Sequence, residues 1–251
     1  MFLSLLLLVA GVGTTSATIY FSDDFSGTTT SSAWSGSANS LESVQSYNGL
    51  GSGSNVFRGN FLRNESGGYN STATYSVVPQ TPTVLTLTGL SEHTSVRLGF
   101  LLAIIGSWDG SSTGEISGYT VGPDYFNVKV DGRSIFSQTF TNFSDGSQSY
   151  SGAKLGGLSA RGFNPNWLDS AYDMSLDIIH TDSDLTVEWF ASGDGWQGKN
   201  AFFGTTHDES WAIDNVSIDL INSSPVPLPP TLLLLCSGLL GLAGWRRLRK
   251  G

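Results

Sequence analysis

Residues 97–105, with the sequence RLGFLLAII, decide the fold of this chain, because the run is apolar at both odd and even positions after its first residue. A strand that is apolar on both faces lies in the middle of a sheet and is covered on both sides. Neighbouring segments such as VLTLTGL (84–90) and NVSIDL (215–220) alternate apolar and polar residues, as strands with one face in solvent do. The sequence therefore predicts a central strand at 97–105 among strands buried on one face.

Ten segments with this period of two are separated by Gly- and Ser-rich stretches, and no helical stripe is longer than two turns. The predicted strands are 19–24, 55–62, 73–78, 83–90, 95–105, 124–130, 135–140, 171–179, 185–191 and 211–220. The stretches 26–53 and 109–122 are predicted to be long loops. The pattern indicates an all-β protein with a single antiparallel β-sandwich domain at residues 18–222.

Both termini differ in composition from this domain. Residues 1–17 contain the apolar run FLSLLLLVAGVG followed by TTSA, which is typical of a signal peptide cleaved after Ala17. No basic residue precedes the run, so we expect the true start to lie further upstream. The N-terminus therefore predicts export.

The C-terminal residues 225–251 combine a proline-rich start, an apolar span and a basic end. The span at 228–245 would be roughly 27 Å long as a helix, which is at the short end of what crosses a bilayer. Basic residues follow it and predict a cytoplasmic C-terminus: Arg246, Arg247, Arg249 and Lys250. The tail predicts a C-terminal transmembrane helix with the β domain on the far side of the membrane.

This tail resembles the PEP-CTERM sorting signal of Gram-negative bacteria in its VPLP variant. The matching proline motif is Val226, Pro227, Leu228 and Pro229, with Leu228 in the place where the family name has Glu. The resemblance implies exosortase as a partner, anchoring in the inner membrane before processing, and a final place at the cell surface or in the extracellular matrix. A plain single-span anchor and a GPI signal are the alternatives, and the basic end disfavours the second.

Several segments of the domain resemble a concanavalin-like or jelly-roll module. They are SDDFSG, GLSEHTSVRLGF, IIGSWDG, GPDYFNVKVDG and DESWAIDNVSIDL, which together span residues 22–220. The resemblance implies a β-sandwich and leaves the activity open, since lectins, adhesion modules, glycanases and structural repeats share such folds.

The net charge of the domain limits the classes of molecule that it is expected to bind. Residues 18–222 hold all 21 acidic residues and 8 of the 12 basic ones, which gives a net charge of −13. This balance disfavours nucleic acid and anionic lipid surfaces and suits the binding of cations. The one cysteine, Cys236, lies in the tail, so the domain contains no disulfide.

Acidic residues near the predicted strand ends are candidate calcium ligands. Calcium accepts six to eight oxygen ligands in flexible geometry, which carboxylates and loop carbonyls supply. In jelly-roll modules of similar pattern, acids of the first and last strands bind a structural Ca²⁺, which points to Asp23, Asp24, Asp124 and Asp214. The alternative is that such residues only stabilise turns.

Aromatic residues in loops are candidate ligand-binding residues. Trp108, Trp196 and Tyr125 follow or precede Gly- and Asp-rich turns, where an exposed ring could stack on a sugar. The alternative is that they belong to the core, as we expect for Trp189 and Trp211 in the strands.

Catalytic patterns are absent from the sequence. His93, His180 and His207 lack metal-ligand spacing and are interpreted as surface or loop residues, and no G-x-S-x-G motif occurs. The sequence therefore favours a non-enzymatic structural or adhesive protein associated with exopolysaccharide. A carbohydrate-binding module is the alternative, and a third is a glycan hydrolase that uses acids among Asp124, Asp208 and Glu209.

Overall fold

The computed structural model describes residues 14–65, 68–69, 77–78, 81–116, 119–193, 196 and 209–224. The strands of this part of the chain are β1 (Thr14–Asp23), β2 (Trp34–Ser35), β3 (Asn39–Ser43), β4 (Gly51–Ser52), β5 (Asn55–Val56), β6 (Asn60–Asn64), β7 (Gly68–Tyr69), β8 (Val77–Val78), β9 (Thr83–Thr88), β10 (Ser95–Gly106), β11 (Gly114–Ile116), β12 (Tyr119–Val121), β13 (Tyr125–Val130), β14 (Arg133–Thr139), β15 (Ser170–Ile179), β16 (Asp184–Ser192) and β17 (Glu209–Ser224). A single 3₁₀ turn at Gln45–Tyr47 is the one helical element of the described residues.

Two main antiparallel sheets form a sandwich, which confirms the predicted all-β architecture. Sheet A has the strand order β15–β10–β17–β6–β3, and β1 also pairs with the later part of β17. Sheet B has the order β14–β13–β16–β9–β2. Three two-stranded ribbons, β4–β5, β7–β8 and β11–β12, lie outside these sheets.

The direction of β17 defines the two ends of the sandwich. We call the end where β17 begins, at Glu209, the far end, and the end where it finishes, at Ser224, the near end. Glu209 pairs with Gly106 at the end of β10, and Ile221 pairs with Ser95 at its start.

The main core lies between the two sheets and follows the period of two. Alternate residues of β10 point into it, and alternate residues of β13 and β16 meet them from sheet B. These residues are Leu98, Phe100, Leu102 and Ile104 from β10, Phe126 and Val128 from β13, and Val187 and Trp189 from β16. The sequence alternates between apolar and polar residues because every second residue of these strands points into the inter-sheet core.

A second apolar cluster covers part of the outer face of sheet A. The other residues of β10, Leu101, Ala103 and Ile105, are buried there together with Phe61 of β6, beneath side chains from residues 44–57 and 155–163. The covering side chains are Val44, Tyr47, Leu50, Phe57, Leu155 and Phe163. This layer explains why the 97–105 stretch is apolar on both faces, and it confirms the prediction of a doubly covered central strand.

A β-bulge interrupts β17 at Asn215, whose φ of +48° lies in the left-handed region. The register with β10 shifts here, since Asp214 pairs with Leu101 and Ser217 with Gly99. Trp211 and Ile213 point into the core before the bulge, and Val216 and Ile218 point into it afterwards. The regular alternation that the sequence suggested for 211–220 is therefore wrong at this one residue, because the extra residue changes the inward parity.

The predicted long loops contain short strands. The stretch 26–53 includes β2, β3, β4 and the 3₁₀ turn, and the stretch 109–122 includes β11 and β12. These strands have only two to five residues and few apolar positions, so hydrophobic periodicity does not detect them. Most of the predicted strand at 73–78 lies outside the described residues.

The two ends of the described chain lie side by side at the near end. In β1, Thr14 pairs with Ser224 and Ala17 with Ile221. Residues 14–17 of the expected signal peptide thus form strand here, and cleavage after Ala17 stays a prediction. The described residues contain no helix that is long and apolar enough to cross a membrane. The span expected at 228–245 lies outside the described residues.

Candidate functional site

Three acidic side chains meet at the far end of the sandwich. Asp109 follows β10, Asp124 precedes β13 and Glu209 begins β17, and their ligand oxygens all lie within 4.8 Å of one another. We call these residues the acidic trio. Asp124 and Glu209 are buried, and Asp109 is partly exposed. Loops from both sheets therefore bring one partly exposed and two buried carboxyl groups together.

Backbone contacts hold the acidic trio in place. The Asp109 N–H donates to the Asp124 carboxylate, and the Asp124 N–H donates to the Gly110 carbonyl at 2.9 Å. Carboxylates this close repel one another unless a cation or a proton neutralises part of their charge. Hard oxygen ligands in this number suit the first part of a Ca²⁺ or Mg²⁺ shell, with water or carbonyls as the remaining ligands.

A second acidic region surrounds the bulge of β17. Asp214 is fully buried, and its oxygens accept hydrogen bonds from the backbone N–H groups of Asn215 at 2.7 Å and Arg58 at 3.3 Å. Desolvation by burial raises the pKa of Asp214 to about 7, although these two bonds act to lower it. Asp23 and Asp24 raise this pKa further through their negative charge, so the three acids lie within electrostatic reach.

Local hydrogen bonds already occupy much of the acceptor capacity of the Asp23 and Asp24 carboxylates. Asp23 accepts from the Phe25 N–H at 2.9 Å and from the Trp34 indole N–H at 2.9 Å. Asp24 accepts from the Ser26 N–H at 3.1 Å, and its hydrogen bonds with Ser26 lower its pKa. The acids around the bulge therefore bond as residues that stabilise turns and bulges do. This role was the alternative to calcium binding in the interpretation of the sequence.

The structure divides the four predicted metal ligands between these two regions. Asp23, Asp24 and Asp214 lie around the bulge, whereas Asp124 belongs to the acidic trio. Asp214 lies five positions after Glu209 in β17, which corresponds to roughly 17 Å along an extended strand. One ion therefore cannot bind all four predicted residues.

The predicted aromatic ligand residues lie mostly in the core. Trp108 is 0% exposed and Trp196 is 2% exposed, and their rings meet edge to face at 4.9 Å. The expectation that these rings are exposed is wrong, because both rings belong to the inter-sheet core cluster. Tyr125, at the start of β13, is half-buried.

Two histidines, interpreted as surface or loop residues from the sequence, are buried together. His93 and His180 are 6% and 7% exposed, and their rings stack at 5.0 Å between centroids. The residues are 87 positions apart, so no spacing rule could have connected them. His207 and Asp208 lie outside the described residues.

The outer face of sheet B is a contrasting surface. Tyr125, Asn127 and Lys129 of β13 alternate with core residues and point outward, as do Glu188 and Phe190 of β16. We call this surface the open face. The Lys129 ammonium lies 5.0 Å from the centre of the Phe190 ring, and the Asn127 side chain bonds to Ser192 and Ser137. Polar and aromatic groups are thus presented side by side.

Residues 225–250 match the PEP-CTERM protein-sorting motif. The match confirms the resemblance of the tail, and it begins directly after the last residue of β17, Ser224. No curated protein matches the chain.

Several solved structures are similar to this chain at low identity and low TM-score. CBM35 from Paenibacillus barcinonensis is 9% identical, with 79% of this chain and 97% of that chain covered and a TM-score of 0.33. The K3 cleaved adhesin domain of Lys-gingipain from Porphyromonas gingivalis W83 is 10% identical, with 81% and 99% covered and a TM-score of 0.40. CBM28, a carbohydrate-binding module specific for non-crystalline cellulose, is 11% identical, with 76% and 89% covered and a TM-score of 0.34. No function of this chain follows from similarities of this size.

Proposed function

We propose that this chain is an exported surface protein that exosortase sorts through its C-terminal tail, and that its β domain has a structural or adhesive role in association with exopolysaccharide. The observation that carries the proposal is the sorting motif at 225–250, placed directly after β17. In this proposal the sandwich is of the jelly-roll type, and the tail anchors it in the inner membrane before processing, through a helix at 228–245.

The placement of the tail supports this topology. β17 finishes at Ser224, so the near end of the sandwich would lie close to the membrane and the far end would point away from it. The acidic trio and the start of the open face lie at the far end, where an extracellular partner has access. The expected signal peptide also leaves the domain at the near end, beside β17.

The burial of the acidic residues favours a role without catalysis. A glycan hydrolase needs two carboxyl groups that face a sugar-binding groove. Asp124 and Glu209 are 0% and 1% exposed, so a sugar cannot reach both of them in this conformation. Packing and ion binding are simpler roles for these groups.

A processing experiment tests the sorting proposal. The full chain is expressed in a Gram-negative host with and without exosortase, and the mass of the C-terminus is measured. We expect loss of the tail only in cells that contain exosortase. Replacing Pro227 and Pro229 by Ala should block the loss, whereas the matched change Pro225→Ala, which lies just outside the VPLP motif, should not. An intact tail in every strain would contradict the proposal.

Carbohydrate binding is the second candidate function, and the open face favours it. The half-buried rings of Tyr125 and Phe190 lie on one outward surface with Lys129 and Glu188, whereas Asn127 between them is buried. Aromatic surfaces that stack on sugar rings, with polar groups beside them for hydroxyls, are suited to glycan recognition. This candidate differs from the first in requiring a saturable glycan complex.

We also propose calcium as a structural ion of this domain. Ca²⁺ that binds only the folded state raises the melting temperature in a concentration-dependent way. Measuring that shift in Asp109→Asn and Asp214→Asn variants separates the two acidic regions, because only the variant of the ligating region should lose it. Mg²⁺ at the same concentration is the control for selectivity, and no shift with either ion would exclude both regions.

A further inference from the structure

A buried pair of histidines lies at the near end of the sandwich and has no part in the proposed sorting or binding. His93 belongs to the loop between β9 and β10, and His180 directly follows β15. The Nε2 atom of His93 lies 2.7 Å from the Nδ1 atom of His180, a hydrogen-bond distance. The ring planes are inclined by only 11°.

Acceptor groups lie at both ends of this pair. The Nδ1 atom of His93 lies 2.6 Å from the Ser91 carbonyl oxygen, which can only accept a hydrogen bond. The Nε2 atom of His180 lies 3.1 Å from Oδ2 of Asp131, an ion-pair distance, and this buried nitrogen has no aligned hydrogen-bond partner in the described part of the chain. A carboxylate beside a bare ring nitrogen would be repulsive, so the contact calls for a proton on Nε2.

Counting the protons of these contacts gives a definite charge. One proton is needed at each acceptor and one between the rings, which makes three protons on four ring nitrogens. Two neutral imidazoles carry only two. A fourth proton would place two N–H groups against each other at the His93–His180 contact and remove that hydrogen bond.

We propose that His93 and His180 jointly hold one extra proton and, with Asp131, form a proton-dependent clasp that closes the near end of the sandwich and opens in acid. The clasp connects both sheets. His180 extends β15 of sheet A, and Asp131 lies in the turn between β13 and β14 of sheet B, where its Oδ1 accepts from the Thr186 N–H at 2.9 Å.

The loop that carries His93 also holds the end of β17. The backbone N–H and the hydroxyl of Thr94 donate to the Ile221 carbonyl at 2.9 and 3.0 Å, and the Asn222 side chain donates to the Glu92 carbonyl at 3.1 Å. Ile221 precedes the first residue of the sorting motif, Pro225, by four positions. Opening the clasp would therefore loosen the strand that leads into the tail. This link to sorting rests on the proposed function, whereas the clasp itself does not.

Other charged groups surround the clasp and contribute to its response. A cavity of about 910 Å³ between β14 and β15 reaches His180, and its charged lining comprises Asp131, Arg133, Asp177 and Asp182. Glu92 is adjacent to His93 in the loop. Four acids and one base thus favour the pair with one positive charge, and the cavity gives water a route to it.

The sign of the pH effect follows from the proton count. In the unfolded chain the two imidazoles carry four protons in acid and two in base, while the clasp holds three. At about pH 6.5, the ordinary value for imidazole, the unfolded pair also holds three protons on average, so the contribution of the clasp to stability is greatest there. Below this pH the unfolded pair binds up to one proton more than the clasp, and the contribution falls as the pH falls. Above it the clasp holds up to one proton more than the unfolded pair, and the contribution falls as the pH rises.

Nitrogen NMR on the full chain with ¹⁵N-labelled histidine, in detergent micelles at neutral pH, tests the count directly. We expect three protonated nitrogens and one bare nitrogen on His93 and His180, with the bare nitrogen at their contact. Two or four protonated nitrogens would overturn the proposal. The variant His207→Gln assigns the third histidine without touching the pair.

Stability and hydrogen exchange test the consequence. Above about pH 7.5, where Asp214 has lost its proton, we expect the natural chain and His207→Gln to lose stability as the pH rises with a linkage approaching one proton, and we expect His180→Gln to lack this slope. The amide of Ile221 should exchange at least tenfold faster at pH 5 than at pH 7.5 after correction for intrinsic rates. Unchanged linkage in His180→Gln, or equal exchange at both pH values, would overturn the clasp. If His180→Gln does not fold, the NMR count on the natural chain decides. An absence of exosortase processing would leave all these readouts unaltered, so the two proposals fail separately.

Discussion

The outer faces of the two sheets differ in what covers them. The outer face of sheet A carries a second apolar layer that buries Leu101, Ala103 and Ile105 of β10 and Phe61 of β6, together with Tyr47 of the cover itself. The open face of sheet B carries alternating polar and aromatic side chains, and no comparable cluster covers it in the part of the chain that the structure describes. The covered face contributes a second apolar core to stability.

Buried polar groups fix the covering layer onto sheet A. The Arg161 guanidinium donates to the Gly157 carbonyl at 2.9 Å and lies 5.2 Å from the centre of the Tyr47 ring. Arg63 pairs with Glu42 at 2.9 Å and lies 4.7 Å from the centre of the Phe163 ring. These charged groups hold the loops by their backbone carbonyls and aromatic faces, so the layer has one defined position.

The largest expected difference between the two faces is the loss of stability when a side chain is removed. Phe61→Ala empties a fully buried position of β6 beneath the covering layer, and we expect it to lower the free energy of unfolding by about 3–5 kcal/mol. Thr86→Ala on the exposed side of β9 should change it by less than about 0.5 kcal/mol. Urea unfolding of the full chain in detergent measures both. Equal effects would refute the division between a structural and an open face.

The second expected difference between the sheets is a pH dependence of the free energy of unfolding, which arises from Asp214 in sheet A. Asp214 has a pKa of about 7 in the folded state, above the value of about 3.9 expected in the unfolded chain. The folded chain therefore binds the proton more tightly, and the contribution of Asp214 to stability falls as the pH rises from about 4 to about 7. The change amounts to about 4 kcal/mol.

The neutral variant Asp214→Asn should lose this slope. Unfolding free energies of the natural chain and the variant, measured from pH 4 to pH 8, give the difference. Asp177→Asn is the matched control, because Asp177 is exposed and its pKa is lowered by its contact with Arg97. A difference that stays constant over this range would refute the buried, proton-binding state of Asp214.

A smaller effect is expected at Asp169, beneath the covering layer. Its carboxylate accepts the N–H groups of Gly106 at 2.9 Å and of Arg161 at 2.8 Å, and burial raises its pKa. In Asp169→Asn, one of these N–H groups would face an amide NH₂ group. We expect a loss of about 1–3 kcal/mol, measured by urea unfolding at pH 7. A neutral effect would show that the loop can release the contact without cost.

The smallest expected change is in the free energy of glycan binding. If the open face binds glycans, Tyr125→Ala should weaken binding about tenfold, or about 1.4 kcal/mol. The test is a glycan array followed by titration calorimetry with the strongest ligand, and Thr86→Ala is the control on the same sheet. Saturable binding that Tyr125→Ala leaves unchanged would place recognition elsewhere, and no binding at all would leave the structural role alone.

The sequence predicted the structure correctly where the polarity of each residue indicates whether that residue faces the core or solvent. The strands β9, β10, β13 and β15 lie within about two residues of their predicted bounds, because inward apolar and outward polar residues follow the pleat directly. The sorting motif was equally readable, since its order of proline motif, apolar span and basic end is linear in the sequence.

The remaining features depend on contacts between distant segments. Trp108 and Trp196 are buried against each other in the inter-sheet core, and Gly-rich flanking residues do not show in which direction a side chain points. The pairing of His93 with His180 and the grouping of Asp124 with Glu209 require the sheet topology. Residues 44–54 were not predicted as structure, because they cover a sheet without forming a regular part of it.

The bulge at Asn215 makes β17 sensitive to length as well as to composition. Deleting this single residue would remove the extra position and leave Trp211, Ile213, Val216, Ile218 and Leu220 at alternate positions of one regular strand, all facing the core. Deleting Ser217 instead would keep the bulge and turn Ile218 and Leu220 toward solvent. A one-codon deletion at Ser217 should therefore be far more damaging than one at Asn215, since it misplaces the end of the strand at once.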